Sequence, residues 1–273
     1  MLGRLRRRLP AWPAPDLALA PGEVAARCQF CSGAYALEAG GEYREAPTCP
    51  RCRASGRAQA IAHLLASRVW GLDVPFCDLP VRKDLRIVGL SDDATYARRL
   101  RRISDYTNTY YHREPRLDIT RPAAHHKGRY DALIAADVFE HVTAPPAAAF
   151  EGAMQVLKPG GHLILTVPYT LGEHEEHFPG IAGYETVRAA DGNWHARIRY
   201  ADGREAIETE PVFHGGPGKT LEVRLFSEAS LGQHLEAAGF ADIDFLTENR
   251  PEASLVWSRF SRPIVARRPL DRA

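Results

Sequence analysis

The chain has 273 residues, 45% hydrophobic and 25% charged, which are ordinary globular values and too apolar for wholesale disorder. Lys and Arg number 35 against 34 Asp and Glu, a formal charge of +1 without the basic surplus needed to grip many phosphates, so nucleic acid is not the expected partner. No run approaches the ~18 apolar residues that span a bilayer. Pro10, Pro13 and Pro15 stand where a signal peptide would carry its apolar stretch, which argues against export.

Residues 1–27, with Arg4, Arg6, Arg7 and Arg8, read as a disordered basic, Pro-rich tail. Residues 28–80 read as a zinc knuckle with a linker helix. Cys28-x-x-Cys31 and Cys49-x-x-Cys52 lie 17 residues apart, a spacing that lets four thiolates reach one tetrahedral zinc. A closed four-cysteine shell has no position left for substrate, so this zinc is expected to be structural. Metal-type cysteine usage also implies a reducing compartment, the cytoplasm. Ala58, Ile61, Ala62, Leu65 and Val69 recur at helical spacing and predict one helix ending near Gly71. Cys77, alone in an apolar stretch, reads as a buried hydrophobe.

From Leu85 the pattern changes. Leu85–Leu90, Tyr130–Ala136 and His162–Val167 predict buried strands, with helices over Thr95–Arg102 and Pro146–Leu157 between them. Such alternation implies βαβ units and a mostly parallel sheet. Lys158-Pro159-Gly160-Gly161 reads as a helix stop. Ser227 predicts an N-cap for a helix closed by Gly239, and Phe240–Leu246 with Ile264–Arg267 predict a long antiparallel hairpin. Residues 169–223, rich in Gly, Pro, His and acids, read as an inserted substrate cap with a hairpin turn at Ala201-Asp202-Gly203-Arg204.

Two segments carry a resemblance: Tyr130 to Val142, containing Glu140-His141-Val142, and Val156 to Pro168, containing Leu157-Lys158-Pro159-Gly160-Gly161. Together they resemble the class I S-adenosylmethionine-dependent methyltransferase superfamily, in the branch with a strand–EHV–helix–LKPGG–strand signature, over about residues 84–267. The cysteine knuckles ahead of such a domain also resemble methyltransferases of glycan and secondary-metabolite pathways. The resemblance implies a Rossmann-like α/β fold: a doubly wound, mostly parallel sheet with a C-terminal antiparallel hairpin, over residues 81–273, behind a small zinc-ribbon-like module. It implies S-adenosylmethionine as cofactor, with Asp118 and Ile119 at the adenine and Ala136 and Asp137 beside the methionine moiety. The first loop, Val88-Gly89-Leu90-Ser91-Asp92-Asp93, departs from the family's Gly-rich pattern and leaves Gly89 with Ser91, while Asn108 stands where an acid would hold the ribose.

For the reaction, a histidine among carboxylates is a reasonable general base near neutral pH. The cap offers His177 and His214. His174, Glu176 and His177 could instead hold a metal, although their spacing is not that of HExxH. The expected acceptor is a small polar molecule or a glycan. Two rivals stay open: an RNA methyltransferase reading RNA through the knuckle, and a non-catalytic Rossmann/zinc interaction protein.

Overall fold

The computed structural model describes residues 15–271 except Ala39, Glu42 and Pro47. The arginine run at 4–8 lies outside the described residues. The rest divides into two compact units, neither continuous in sequence: residues up to Asp84 group with Asp93–Asp105 and Leu246–Pro263, while Leu85–Asp92 group with Tyr106–Phe245 and the segment from Ile264.

In the first unit, the tail expected to reach residue 27 ends earlier, because β1 (Glu23–Arg27) pairs antiparallel with β2 (Ala34–Glu38). Each cysteine pair closes an equivalent turn. Ser32 and Arg53, one residue past the second cysteine of each pair, sit at φ 60° and donate their N–H groups to the carbonyls of Cys28 and Cys49. Helix α1 (Gly56–Leu64) starts on Ser55, whose hydroxyl accepts from the Ala58 N–H. It continues as a π-helical stretch over Leu65–Trp70 and ends at left-handed Gly71, where the periodicity predicts an end. Gln59 is fully buried inside this unit. Its oxygen accepts from the Gln29 N–H at 2.7 Å and its amide donates to Thr48 Oγ1 at 2.7 Å. Residues 253 and 254 close the same core: Tyr35 donates to Ser254 Oγ at 2.7 Å, and Gln29 Nε2 to the Ala253 carbonyl at 2.9 Å. Cys77, expected to be buried, is only half-buried.

The second unit is built on a sheet of β3 (Arg82–Leu90), β4 (Ser104–Thr109), β5 (Tyr130–Ala136), β6 (Leu157–Thr166), β15 (Ala241–Phe245) and β16 (Ile264–Arg267), ordered β15-β16-β6-β5-β3-β4. The connection from β3 to β4 runs through α2 (Ala94–Ile103), capped by Asp93. β3, β5 and β6 run parallel, and β16 is antiparallel to both β6 and β15. This is the Rossmann-like α/β fold with its antiparallel C-terminal pair. Ala132, Leu133, Ile134 and Ala135 are all fully buried, as befits a strand covered on both faces. Helix α3 (Pro146–Val156) leads into β6 and contributes Phe150 to the core that β5 and β6 share.

Two expectations need correction here. β6 begins at Leu157, not His162, because a bulge absorbs Pro159-Gly160-Gly161: Tyr130 pairs Leu157, and Ala132 next pairs His162. β15 and β16 do pair, but their 18-residue connection, Leu246–Pro263, is no hairpin loop and belongs to the first unit.

The cap lies between β6 and α4 (Glu228–Ala237), the helix capped reciprocally by Ser227 and Ser230. It holds short strands β7 (Tyr169–Thr170) and β8 (Glu175–Glu176), then β9 (Ile181–Arg188), β10 (Trp194–Tyr200) and β11 (Glu205–Glu208) as a meander. The β10–β11 turn uses Gly203 at φ 88°, as the hairpin reading requires. A hairpin of β12 (Phe213–His214) and β13 (Thr220–Leu221) follows, and β14 (Arg224–Ser227) pairs with β7 and β8. Phe178, Ile181, Ala196, Ile198, Leu221 and Val223 give the cap its own core.

Candidate functional site

The sheet order reverses between β3 and β5, since β3 leads outward to β4 and β5 leads the other way to β6. Ligands of open α/β sheets bind outside the carboxyl ends of the strands at such a point. Both strand ends carry a non-glycine residue in the left-handed region: Ser91 at φ 58° after β3 and Asp137 at φ 54° after β5. Backbone held in that region costs energy and collects at ligand sites. Asp137 is fixed by β6, donating its N–H to the Thr166 carbonyl at 2.7 Å and accepting from the Thr166 hydroxyl at 3.1 Å.

The other predicted crevice residues have partly different duties. A Cβ on Gly89 would collide with Asp92 Oδ2 and the Tyr106 hydroxyl, so this glycine makes room for the loop's own side chains. Tyr106 donates to Asp92 at 2.7 Å. The buried amide of Asn108 grips the Asp92 backbone from both sides, at 2.8 and 2.9 Å, which commits it to shaping the loop. Asp118 is half-buried and turns its own chain, accepting from the N–H and the hydroxyl of Thr120. Ile119 is buried in the main core, and its carbonyl lies where a Cβ on Gly152 of α3 would fall. Close packing on that helix fixes the Leu117–Thr120 segment.

In the cap, His177 and His214 converge on one carboxylate. His177 Nε2 lies 3.1 Å from Glu222 Oε1, and His214 Nε2 lies 2.7 Å from Glu222 Oε2. His177 turns its other nitrogen to Glu175, at 3.4 Å, whereas His214 Nδ1 faces His141 Nε2 at 3.1 Å and Glu140 Oε1 at 3.5 Å. Glu140 and Glu222 push the His214 imidazolium up to about 10, and burial raises the Glu140 carboxyl. His174 stands apart: it meets Glu176 at 2.9 Å, and Glu176 in turn receives the Arg224 guanidinium, so His174, Glu176 and His177 do not gather as a metal site. Sequence reasoning left Glu140 and His141 without chemistry and missed Glu222 and Arg224. The signal was present, since Glu222 and Arg224 interrupt the apolar run Leu221–Phe226. An open groove of about 700 Å³ in the cap is lined by Asp191, Asn193, Trp194, His195, Glu210 and Phe213.

In the first unit, the four sulfurs of Cys28, Cys31, Cys49 and Cys52 lie within 4.8 Å of one another and none is in a disulfide. Cys28 and Cys52 stand 3.6 Å apart, Cys31 and Cys49 3.7 Å. Sulfurs 2.3 Å from a tetrahedral zinc would be about 3.8 Å apart. Cys28 Sγ also accepts from the N–H groups of Phe30 and Cys31, which favours a thiolate. The donor set fits zinc.

Among solved structures, the chain is similar to the 1,6-didemethyltoxoflavin-N1-methyltransferase of Burkholderia thailandensis (14% identity, TM-score 0.41, covering 76% of each chain). It is also similar to the amino pentose methyltransferase CalS10 of Micromonospora echinaspora (18% identity, TM-score 0.39, covering 67% of this chain and 83% of that one). A third similar structure, the CurJ carbon methyltransferase, shares 18% identity at a TM-score of 0.43, over 71% of this chain and about half (51%) of that one. No curated protein matches the sequence. The family profile described as "Methyltransferase domain" matches residues 56–244, more than half of the chain. With the switch-point crevice formed by the sheet it covers, this protein belongs to the methyltransferase-domain family and is an S-adenosylmethionine-dependent methyltransferase.

Proposed function

We propose that the chain methylates a polar small molecule or a glycan, with the cofactor lodged between Gly89, Ser91, Asn108, Asp118, Ile119, Ala136 and Asp137. The observation that carries this reading is the pair of left-handed residues, Ser91 and Asp137, at the carboxyl ends of the strands flanking the sheet's switch point. Bound S-adenosylmethionine supplies a methyl group on a sulfonium, already activated for in-line displacement. The protein's work is then alignment, with a base where the acceptor is a hydroxyl. The carboxylates of Asp118 and Asp137 suit the adenine amine and the methionine ammonium as hydrogen-bond acceptors. Of the cap histidines, His177 is the better base: Glu222 orients it while its Nδ1 edge turns towards exposed Glu175, whereas both nitrogens of His214 point inward. The polar groove in the cap and the formal charge of +1 favour a small polar acceptor over RNA. Zinc on the four cysteines would brace the first unit and take no part in the reaction.

Calorimetric titration of S-adenosylmethionine tests this reading. One site is expected, weakened by about 1–3 kcal/mol in Asp118→Ala, the usual cost of losing a buried hydrogen-bond partner. No binding to the parent chain would overturn the assignment, and unchanged affinity in the variant would place the adenine elsewhere. His177→Ala should leave that affinity intact and lower turnover by ~100-fold or more with a hydroxyl acceptor.

A further inference from the structure

Beside the crevice, three residues past Asp137, the turn Phe139–His141 carries a carboxylate with unusual surroundings. Glu140 is 1% exposed, and neither of its carboxylate oxygens accepts a hydrogen bond. A carboxylate buried in that way is strongly disfavoured unless a cation compensates it.

The outer nitrogen of each histidine facing it is engaged in a hydrogen bond, which leaves Nε2 of His141 and Nδ1 of His214 turned towards the carboxylate. His141 Nδ1 lies 2.8 Å from the Leu221 carbonyl, which can only accept; Nδ1 therefore carries the proton and Nε2 the lone pair. His214 donates from Nε2 to Glu222 Oε2 at 2.7 Å, which turns Nδ1 towards His141 Nε2 at 3.1 Å. Glu140 Oε1 completes a triangle, 3.5 Å from His214 Nδ1 and 3.7 Å from His141 Nε2. Ligand atoms 2.0–2.1 Å from a tetrahedral ion stand about 3.4 Å apart, a value the three separations bracket. The outer hydrogen bonds, to a backbone carbonyl on one ring and a carboxylate on the other, are those that orient metal-binding histidines.

We propose that Glu140, His141 and His214 bind one divalent transition-metal ion, distinct from the ion on the cysteines. Two imidazoles with one carboxylate suit an ion of the zinc, cobalt or iron class, whereas magnesium and calcium take oxygen ligands. Three protein ligands leave a coordination position for water or for an oxygen of a small molecule in the cap. Glu222 acts through His214 as a positioning residue. The competing arrangement puts a proton on His214 Nδ1 in place of the ion.

Metal content and calorimetric titration of the full chain with Zn²⁺ or Co²⁺ alone separate the two, with no methylation assay required. Two equivalents per chain are expected, one of them lost in His214→Gln and in Glu140→Gln, with circular dichroism reporting that each variant is folded. His214 is partly exposed and should tolerate exchange even if Glu140 does not. Cys49→Ser should keep the equivalent assigned here. A metal count unchanged by both folded variants, or a parent chain whose only equivalent vanishes in Cys49→Ser, overturns the proposal. Should neither variant fold, the cobalt spectrum of the parent decides: absorption from nitrogen- and oxygen-ligated cobalt beyond the thiolate bands supports the site, and thiolate bands alone overturn it.

Discussion

Arg224 is 1% exposed, and its guanidinium is almost wholly spoken for inside the second unit. It donates to both oxygens of Glu176, at 2.7 and 3.2 Å, and to the carbonyls of Phe139, Val142 and Ala144. One side chain thereby ties the Pro-rich segment after His141 to β8 and β14, satisfying carbonyls that no ladder reaches. Arg224→Met should destabilise the chain by about 3–5 kcal/mol, because Glu176 and three carbonyls lose their partner at once. Urea unfolding measures it, and a loss below about 1 kcal/mol would show that water replaces the guanidinium. In the first unit, His63 carries the opposite electrostatics. It is 8% exposed, and burial, with Arg250 and Arg68 nearby, holds its imidazole down at about 4. Folded chains keep it neutral where unfolded chains protonate it, so the unfolded state binds the extra proton. The stability is therefore complete above the ordinary value near 6.5 and is lost as pH falls from there towards 4, by about 3 kcal/mol in all. His63→Gln should flatten that part of the parent's stability–pH curve, measured with zinc present throughout. A parallel pair of curves would mean that His63 titrates normally.

At the level of elements, the cysteine turns make the plainest prediction. Two matched turns bring four sulfurs together, yet the core beneath them is small: Ala26, Tyr35 and Leu37 with the cysteines themselves. A core of that size cannot hold a fold alone, so bound metal should contribute folding free energy outright. Cys49→Ser should lose the zinc and the amide protection of residues 23–70, read by elemental analysis and hydrogen exchange; protein prepared without chelator and yet free of metal would defeat the assignment. The elements themselves were legible because their signals are local. Alternation of apolar runs marked β3 and β5, Ser227 marked the start of α4, and the CxxC spacing marked the knuckles. The start of β6 was not legible, because Pro159-Gly160-Gly161 reads as a helix stop when only neighbours are considered. β6 absorbs those residues in a bulge against β5, and partner strands are invisible to periodicity. β1 was hidden for the same reason, since its five residues become a strand only against β2.

For the whole molecule, the least legible features were those that sequence distance conceals. Glu140 and His141 meet His214 and Glu222 across more than seventy positions, so the cluster emerges only when the cap folds back over the end of β5. Likewise nothing near Ser254 announces that it accepts from Tyr35 and donates to the Arg27 carbonyl. That last contact bears on how the chain is made. β16 lies inside the sheet, between β15 and β6, and Leu246–Pro263 belongs to the unit that begins with the cysteine turns. Translation therefore delivers the same stretch, residues 246–267, as the closing piece of both units. A ribosome that has passed α4 has still released neither a finished sheet nor a finished first unit, and Gln59, Tyr35 and the inner edge of β6 wait for it uncovered. Holdase chaperones that favour apolar strands should find this nascent chain receptive until residues 246–267 emerge, and neither unit should complete its folding before that stretch has been made.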